Sequence, residues 1–232
     1  MAGRTRGQSP IEPTLTSARV RAKLTRVPTR LSRHFFTRPT LRVARELLGC
    51  RLVRRIDGRR LSGIIVEVEA YIGEDDLACH GRHGRTSRNA VMFGKPGVAY
   101  VYFTYGMHWM FNIVTAREGF AAAILIRALE PVEGIALMRE RRRQIVLRNL
   151  CSGPAKLTQA LRIEGRDSGV DLCARRTGIW IEGEEPLAAN RIGRSPRVGV
   201  DYAPEPWRSK PWRFFVRDNS YVSRSPTTGG NL

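Results

Sequence analysis

The sequence runs to 232 residues, 42% of them apolar, which suits one folded domain with a substantial core and argues against wholesale disorder. Lys and Arg number 40 against 21 Asp and Glu, a formal charge of +19. That charge draws the chain toward polyanions, nucleic acid before an anionic membrane surface, with simple solubility as the plain alternative. No run approaches the roughly 18 apolar residues that cross a bilayer, and the N-terminus lacks the apolar core of a secretory signal. Cys50, Cys79, Cys151 and Cys173 form no CxxC pair. They read as four free thiols in a reducing compartment, each suited to burial as a small apolar residue.

In chain order, residues 1–33 are rich in Arg, Thr, Ser and Pro, with Glu12 as their only acid. This stretch reads as a flexible basic arm, or as an organelle transit peptide of the same composition. Order is expected from His34. Pro39 suits a first helical turn, Leu41, Ala44, Leu47 and Leu48 share a face, and Gly49 can end the helix. Cys50 to Arg54 reads as a strand, Asp57-Gly58 as a hairpin turn, and Leu61 to Tyr71 as an alternating strand. In that strand Ile64, Val66, Val68 and Ala70 fall on one face, and Ile65, Glu67, Glu69 and Tyr71 on the other.

Gly73 to Lys95 is a long polar loop, and long loops inside compact domains are commonly functional. Ala99 to Tyr105 and Trp109 to Thr115 form a hairpin joined through Gly106, and Ala121 to Leu129 is a further strand. Pro131 is expected to open a helix ending in the basic run Arg139 to Arg143, and Ser152 to cap a helix reaching Leu161. Gly178 to Glu182, Arg197 to Val200 and Trp212 to Arg217 read as short strands, and the stretch from Ser220 looks frayed. Strands and helices do not alternate regularly. The expected fold is therefore α+β, a single domain with a curved, largely antiparallel sheet, surrounding helices and a protruding hairpin.

Two features carry chemistry. Glu67 and Glu69 project from the same face of a strand whose other face is apolar. They are either a solvated surface pair or a carboxylate in a partly dry cleft that can act as general base. The run Tyr100 to Met107 is either core packing or a wedge. Tyr105 beside Gly106 at a hairpin tip is poorly placed for burial and could insert between base pairs. Tyr71, His80 and Tyr102 could then supply flat surfaces for a displaced base. His80 and His83, with Asp75 and Asp76 nearby, make a weak metal signal. Lys95 and Lys156 are candidates for lyase chemistry by residue type alone. The Arg139 to Arg143 cluster is a solvated helix end or a contact for duplex backbone.

The ordered blocks EVEAYIGEDDLACHGRHGRTSRN (from Glu67), MFGKPGVAYVYFTYGMHWMFN (to Asn112), ILIRALEPVEG (Ile124 to Gly134), LCSGPAKLTQAL (Leu150 to Leu161), RVGV (Arg197 to Val200) and PWRFFVR (Pro211 to Arg217) carry a resemblance. Over roughly His34 to Ser220 the chain resembles the alkyladenine (3-methyladenine) DNA glycosylase family. The resemblance implies a glycosylase domain over 34–220, with the arm (1–33) and a tail (221–232) outside it. It implies that Glu69 activates water against C1′ of a flipped nucleotide. Arg127, with a backbone carbonyl from Arg197 to Val200, would help hold that water. Tyr71, His80 and Tyr102 would sandwich the base, Tyr105 would fill the gap in the duplex, and Asn112 would crowd the exocyclic amine of guanine. His108, and a short loop between His80 and Asn89, depart from some relatives.

An N-alkylated purine is cationic, so electron-rich rings attract it, and its glycosidic bond is weakened because the base departs neutral. For a neutral lesion such as hypoxanthine the sequence names no acid. The expectation is thus a monomeric enzyme that needs no metal or organic cofactor and removes alkylated or deaminated purines from double-stranded DNA. It would be cytoplasmic and associated with DNA, in a nucleus or organelle if eukaryotic. A non-enzymatic DNA-bending or damage-recognition protein would explain the charge and Tyr105 but leave Glu69 and Arg127 without a role.

Overall fold

Alternating apolar positions build most of the molecule, and in the computed structural model the strands join in one eight-stranded sheet whose pairings are all antiparallel. The structure describes residues 29–223; most of the basic arm and the end of the tail lie outside them. A short helix α1 (Arg33–Phe36) leads into α2 (Thr40–Leu47), which starts beyond Pro39 and buries Thr40, Val43, Ala44 and Leu47. Strands β1 (Arg51–Ile56) and β2 (Arg59–Ile72) are joined by Asp57 and Gly58. Both of these have positive φ (51° and 71°), as the two-residue turn matched to strand twist requires. Next come β3 (Ala99–Thr104), β4 (His108–Val114) and β5 (Ala122–Glu133), then helices α3 (Ile135–Arg142) and α4 (Pro154–Leu161). Strands β6 (Ile179–Glu182), β7 (Ile192–Ser195) and β8 (Arg213–Val216) complete the sheet.

The main order is β3-β4-β5-β2-β1-β6, with β8 also paired to β2 and β7 to β8. The long β2 therefore changes partner along one edge, from β1 up to Ile64 to β8 from Glu67. Its pairing with β5 is irregular at the same place, between Ile65 and Val68. Such an irregularity interrupts strict alternation. Ile65, expected on the carboxylate face, packs in the main core with Val66, Val68 and Ala70.

That core lies between the sheet and α2, α3 and α4, and takes Ile124, Ile126 and Ala128 from β5. The opposite face carries two smaller clusters: one around Cys79, Met92, Tyr100 and Ala123, the other around Ala78, Val200 and Ala203, with Tyr71 packed against both. Cys50, Cys79 and Cys151 are buried thiols, and Cys173 is half-buried.

Three local expectations change. Pro131 does not open a helix; it stays in β5 opposite Gly63 at a register shift, where its missing N–H is tolerated, and α3 begins at Ile135. Ser152 lies one residue before the Gly153 cap and makes no capping bond. Arg197 to Val200 is a loop rather than a strand; the local strand is β7, a few residues earlier. Among the described residues no helix is long and apolar enough to cross a membrane.

Candidate active site

The partner change in β2 gathers charge. Glu67 and Glu69 are both 0% exposed, so neither belongs to a solvated face. Buried carboxylates need donors, and β5 and β8 bring them from either side. Arg127, at the irregular point of β5, donates from Nε to Glu67 Oε1 at 2.8 Å and places Nη1 3.2 Å from Glu69 Oε1. Arg213 of β8 donates from Nε to Glu67 Oε1 at 2.7 Å. Within the stretch expected to fray, whose residues beyond 223 lie outside the described ones, Ser223 donates from its backbone N–H (2.6 Å) and its hydroxyl (2.7 Å) to Glu67. Burial opposes ionisation of Glu67, but Arg127, Arg213 and Ser223 outweigh it and hold the carboxyl below its ordinary range. Burial likewise opposes the charge on Arg127, and Glu69 and Glu67 more than restore it.

Glu69 has a different set of donors. The Val198 N–H reaches Oε1 at 2.7 Å and the Tyr71 hydroxyl reaches Oε2 at 2.9 Å. Val198 is held there by its neighbour. Arg197 and Asp76, with fully buried side chains, form a two-pronged pair at 2.6 and 2.8 Å. Asp76 also accepts from the backbone N–H groups of Ile72 and Ala78, and Arg197 donates to the carbonyls of Ala70 and Trp207. The pair pins the loop after β2 to the loop before β8 and aims Val198 at Glu69. Asp76 is thus committed to Arg197, and no group of three metal-ligating side chains forms among the described residues.

In front of these carboxylates lies a cavity of about 290 Å³. That is at the small end of the roughly 300–1,000 Å³ usual for ligand pockets, and fits one aromatic ring system. Tyr71, His80, Tyr102, Tyr105, Asn112 and Arg127 line it, together with Tyr100, Leu125, Val198 and Tyr202. Glu69 lies behind this wall, reached through Tyr71, Arg127 and Val198.

His80 stands on a single 3-10 turn (His80–His83), with its ring edge-on to Tyr102 (centroids 4.5 Å apart) and Nδ1 2.9 Å from the Tyr100 hydroxyl. Gly81 makes this close approach possible, because a Cβ there would sit 2.5 Å from that of Ala121. Burial, then the Arg88 and Arg82 charges, lower His80 to about 4, so the ring is neutral at pH 7. Burial also pushes Tyr100 up to about 12 and raises Tyr71 and Tyr102, keeping all three phenols un-ionised. Asn112 donates to the carbonyls of Tyr100 (3.1 Å) and Met110 (3.4 Å), which fixes the orientation of its amide. At the rim, Tyr105 is 79% exposed, and its φ of 51° breaks the alternation of β3 at the hairpin tip.

Residues 34–220 match the sequence profile of the methylpurine-DNA glycosylase family. The chain belongs to that family. Relatives provisionally named 3-methyladenine DNA glycosylase include one from Carboxydothermus hydrogenoformans, 48% identical over 84% of this chain and 98% of its own length. Others come from Methanocella arvoryzae (47%, over 84% and 96%) and Prosthecochloris aestuarii (47%, over 84% and 92%). The seven residues singled out from sequence converge on one cavity or the charges behind it.

Sequence reasoning missed several members of that group: Tyr202, the Val198 N–H, and the supporting roles of Asp76, Arg197, Arg213 and Ser223. One signal was available, since Arg127 is a lone cation within the apolar run of β5. A buried charge there demands buried partners.

Proposed function

We propose that the cavity receives one damaged purine turned out of duplex DNA, and that Glu69 activates the water that displaces it from C1′. Membership of the family makes the protein a monofunctional base-excision-repair glycosylase that acts on DNA. The observation that carries the site assignment is the state of Glu69. A carboxylate offers about four acceptor sites. The Val198 N–H and the Tyr71 hydroxyl occupy one each on Glu69, and Arg127 Nη1 lies 3.2 Å away as an ion pair, which leaves acceptor capacity to take a proton from water at the back of an aromatic cavity.

In this mechanism the water oxygen bonds to C1′ as the C1′–N bond breaks, and the bonding pair leaves with the purine. A cationic methylated purine leaves neutral. The water's proton passes to Glu69, and the sugar is left abasic. Glu69 also faces the positive charge that develops on the sugar in the transition state. Arg127 helps hold the water, and Tyr71, His80 and Tyr102 offer uncharged, electron-rich rings to a cationic base. Tyr105 fills the space vacated in the duplex, and Asn112 disfavours guanine. The enzyme acts as a monomer with its catalytic domain over 34–220. The basic segment 1–33 adds salt-sensitive contacts to phosphates.

The test is release of free base, in EDTA, from duplex oligonucleotides carrying a methylated purine or hypoxanthine. Glu69→Gln is expected to slow release by about 10²–10⁴-fold, the usual contribution of a general base, with DNA affinity retained. Release at the wild-type rate would overturn the assignment.

A further inference from the structure

Glu67 is the acid that this mechanism leaves unused. It is as buried as Glu69, two residues away on the same strand, and it does not line the cavity. Three of its four donors, Arg127 Nε, Arg213 Nε and the Ser223 hydroxyl, converge on Oε1, and the Ser223 N–H reaches Oε2, so the carboxylate is committed to two arginines and Ser223.

The effect falls on Arg127. A guanidinium left with one carboxylate pairs with it through two parallel hydrogen bonds, the strong default for these groups. Here the fork is divided: Nε goes to Glu67 at 2.8 Å, Nη1 lies 3.2 Å from Glu69, and Nη2 reaches the Ser223 hydroxyl at 3.4 Å. Glu69 receives one prong, the longer of the two carboxylate contacts. We infer that Glu67 is a positioning residue which, anchored by Arg213 and Ser223, keeps Arg127 from pairing fully with Glu69 and so leaves Glu69 able to accept a proton. Ser223, close to the end of the described chain, thereby becomes part of the catalytic support. The inference rests on Glu69 being the base.

The other groups facing Glu69 can be named element by element. Tyr71 comes from its own strand, Tyr102 from β3, Arg127 from β5, and Arg197, neutralised by Asp76, from the loop before β8. Arg213 of β8 faces Glu67. Among these, Glu67 is the one that sets how Arg127 is shared. Glu67→Gln removes a neighbouring negative charge and releases the Arg127 fork toward Glu69, and both changes favour the ionised base. The acid midpoint of the rate then moves to lower pH, while the better-neutralised base is slower on the plateau. Ser223→Ala acts in the same direction and more weakly: it removes an anchor of Glu67 and the acceptor of Arg127 Nη2, so the fork turns more freely toward Glu69 and the midpoint falls.

The experiment is single-turnover release of a cationic methylated purine from a duplex oligonucleotide across pH. It uses the full chain, normalised to the active fraction, with DNA affinity measured in parallel. For Glu67→Gln we expect the acid midpoint to fall by about one unit, as loss of a close charge produces, with a roughly tenfold slower plateau and unchanged affinity. For Ser223→Ala we expect a fall of roughly a few tenths of a unit. A merely structural role lowers stability or the active fraction and moves neither midpoint. Unmoved midpoints, with Glu69→Gln inactive, would overturn this inference alone. Wild-type release by Glu69→Gln would take down the base assignment and this inference with it. Should Glu67→Gln fail to fold, Ser223→Ala decides, and an unmoved midpoint there counts against the inference.

Discussion

Glu67 and Glu69 stand two residues apart on one strand, are equally buried, and share Arg127, yet their surroundings suit them to different work. Around Glu67 two arginines and Ser223 supply four hydrogen bonds, three of them to Oε1. Around Glu69 the donors are a backbone N–H, a phenol and one prong of Arg127, with an aromatic cavity on the far side of them. The first arrangement spends a carboxylate on holding a cation, and the second keeps one available for chemistry. Burial alone does not distinguish a base from its support. The count of donors, and what lies beyond them, does.

The severest way to break the comparison is to remove what the two acids share. Arg127→Leu leaves two buried carboxylates with one cation fewer. It is expected to cost about 3–5 kcal/mol, the usual consequence of stranding a buried charge, and to abolish base release. Urea denaturation of the purified variant measures it, and a loss under 1 kcal/mol would mean the carboxylates are not held as described.

Acidification tests the cavity side next. Folded His80 titrates near 4 and the unfolded side chain near ~6.5. The unfolded chain therefore binds the proton first as pH falls, and stability present above pH ~6.5 is lost progressively down to about 4. The loss is about 3 kcal/mol, and His80→Gln should flatten that part of the stability profile. Gly81→Ala acts on the same wall by force. The 2.5 Å contact with Ala121 must open, which costs roughly 1–3 kcal/mol and shifts His80, so base release slows more than DNA binding weakens. Smallest in stability is Tyr105→Ala, a change at an exposed tip expected to stay within about 0.5 kcal/mol. It should nevertheless slow excision, as stopped-flow fluorescence of a base analogue in the duplex would report; unchanged flipping would remove Tyr105 from its proposed role.

What could be read in advance was local. Alternation and Gly106 located the β3–β4 hairpin, and the exposed tip followed from an aromatic beside a turn. Asp57-Gly58 announced its turn, and the paired glutamates of β2 stood out. What could not be read depends on contacts between distant parts of the chain. The irregularity near Glu67 arises where β8 arrives, and its Arg213 meets Glu67 from 146 residues away. Asp76 looked like a neighbour for His80 and His83 because nothing local shows that Arg197, 121 residues on, claims it. Ser223 follows a polar stretch with no periodicity, so its return to Glu67 left no trace in the pattern. Arg127 was the exception, a cation in an apolar strand, and its meaning was recognised only through family resemblance.

The most direct test of the central claim compares the two acids in one assay. Glu69→Gln and Glu67→Gln would each be mixed in excess with duplex DNA carrying a methylated purine, and release of the free base followed to completion. Glu69→Gln is expected to bind the duplex but release base at least about 10²-fold more slowly than wild type. Glu67→Gln should keep roughly a tenth of the wild-type plateau rate and more of that plateau at acid pH. Equal and near-complete losses in both variants, or a more active Glu69→Gln, would contradict the division of labour between them.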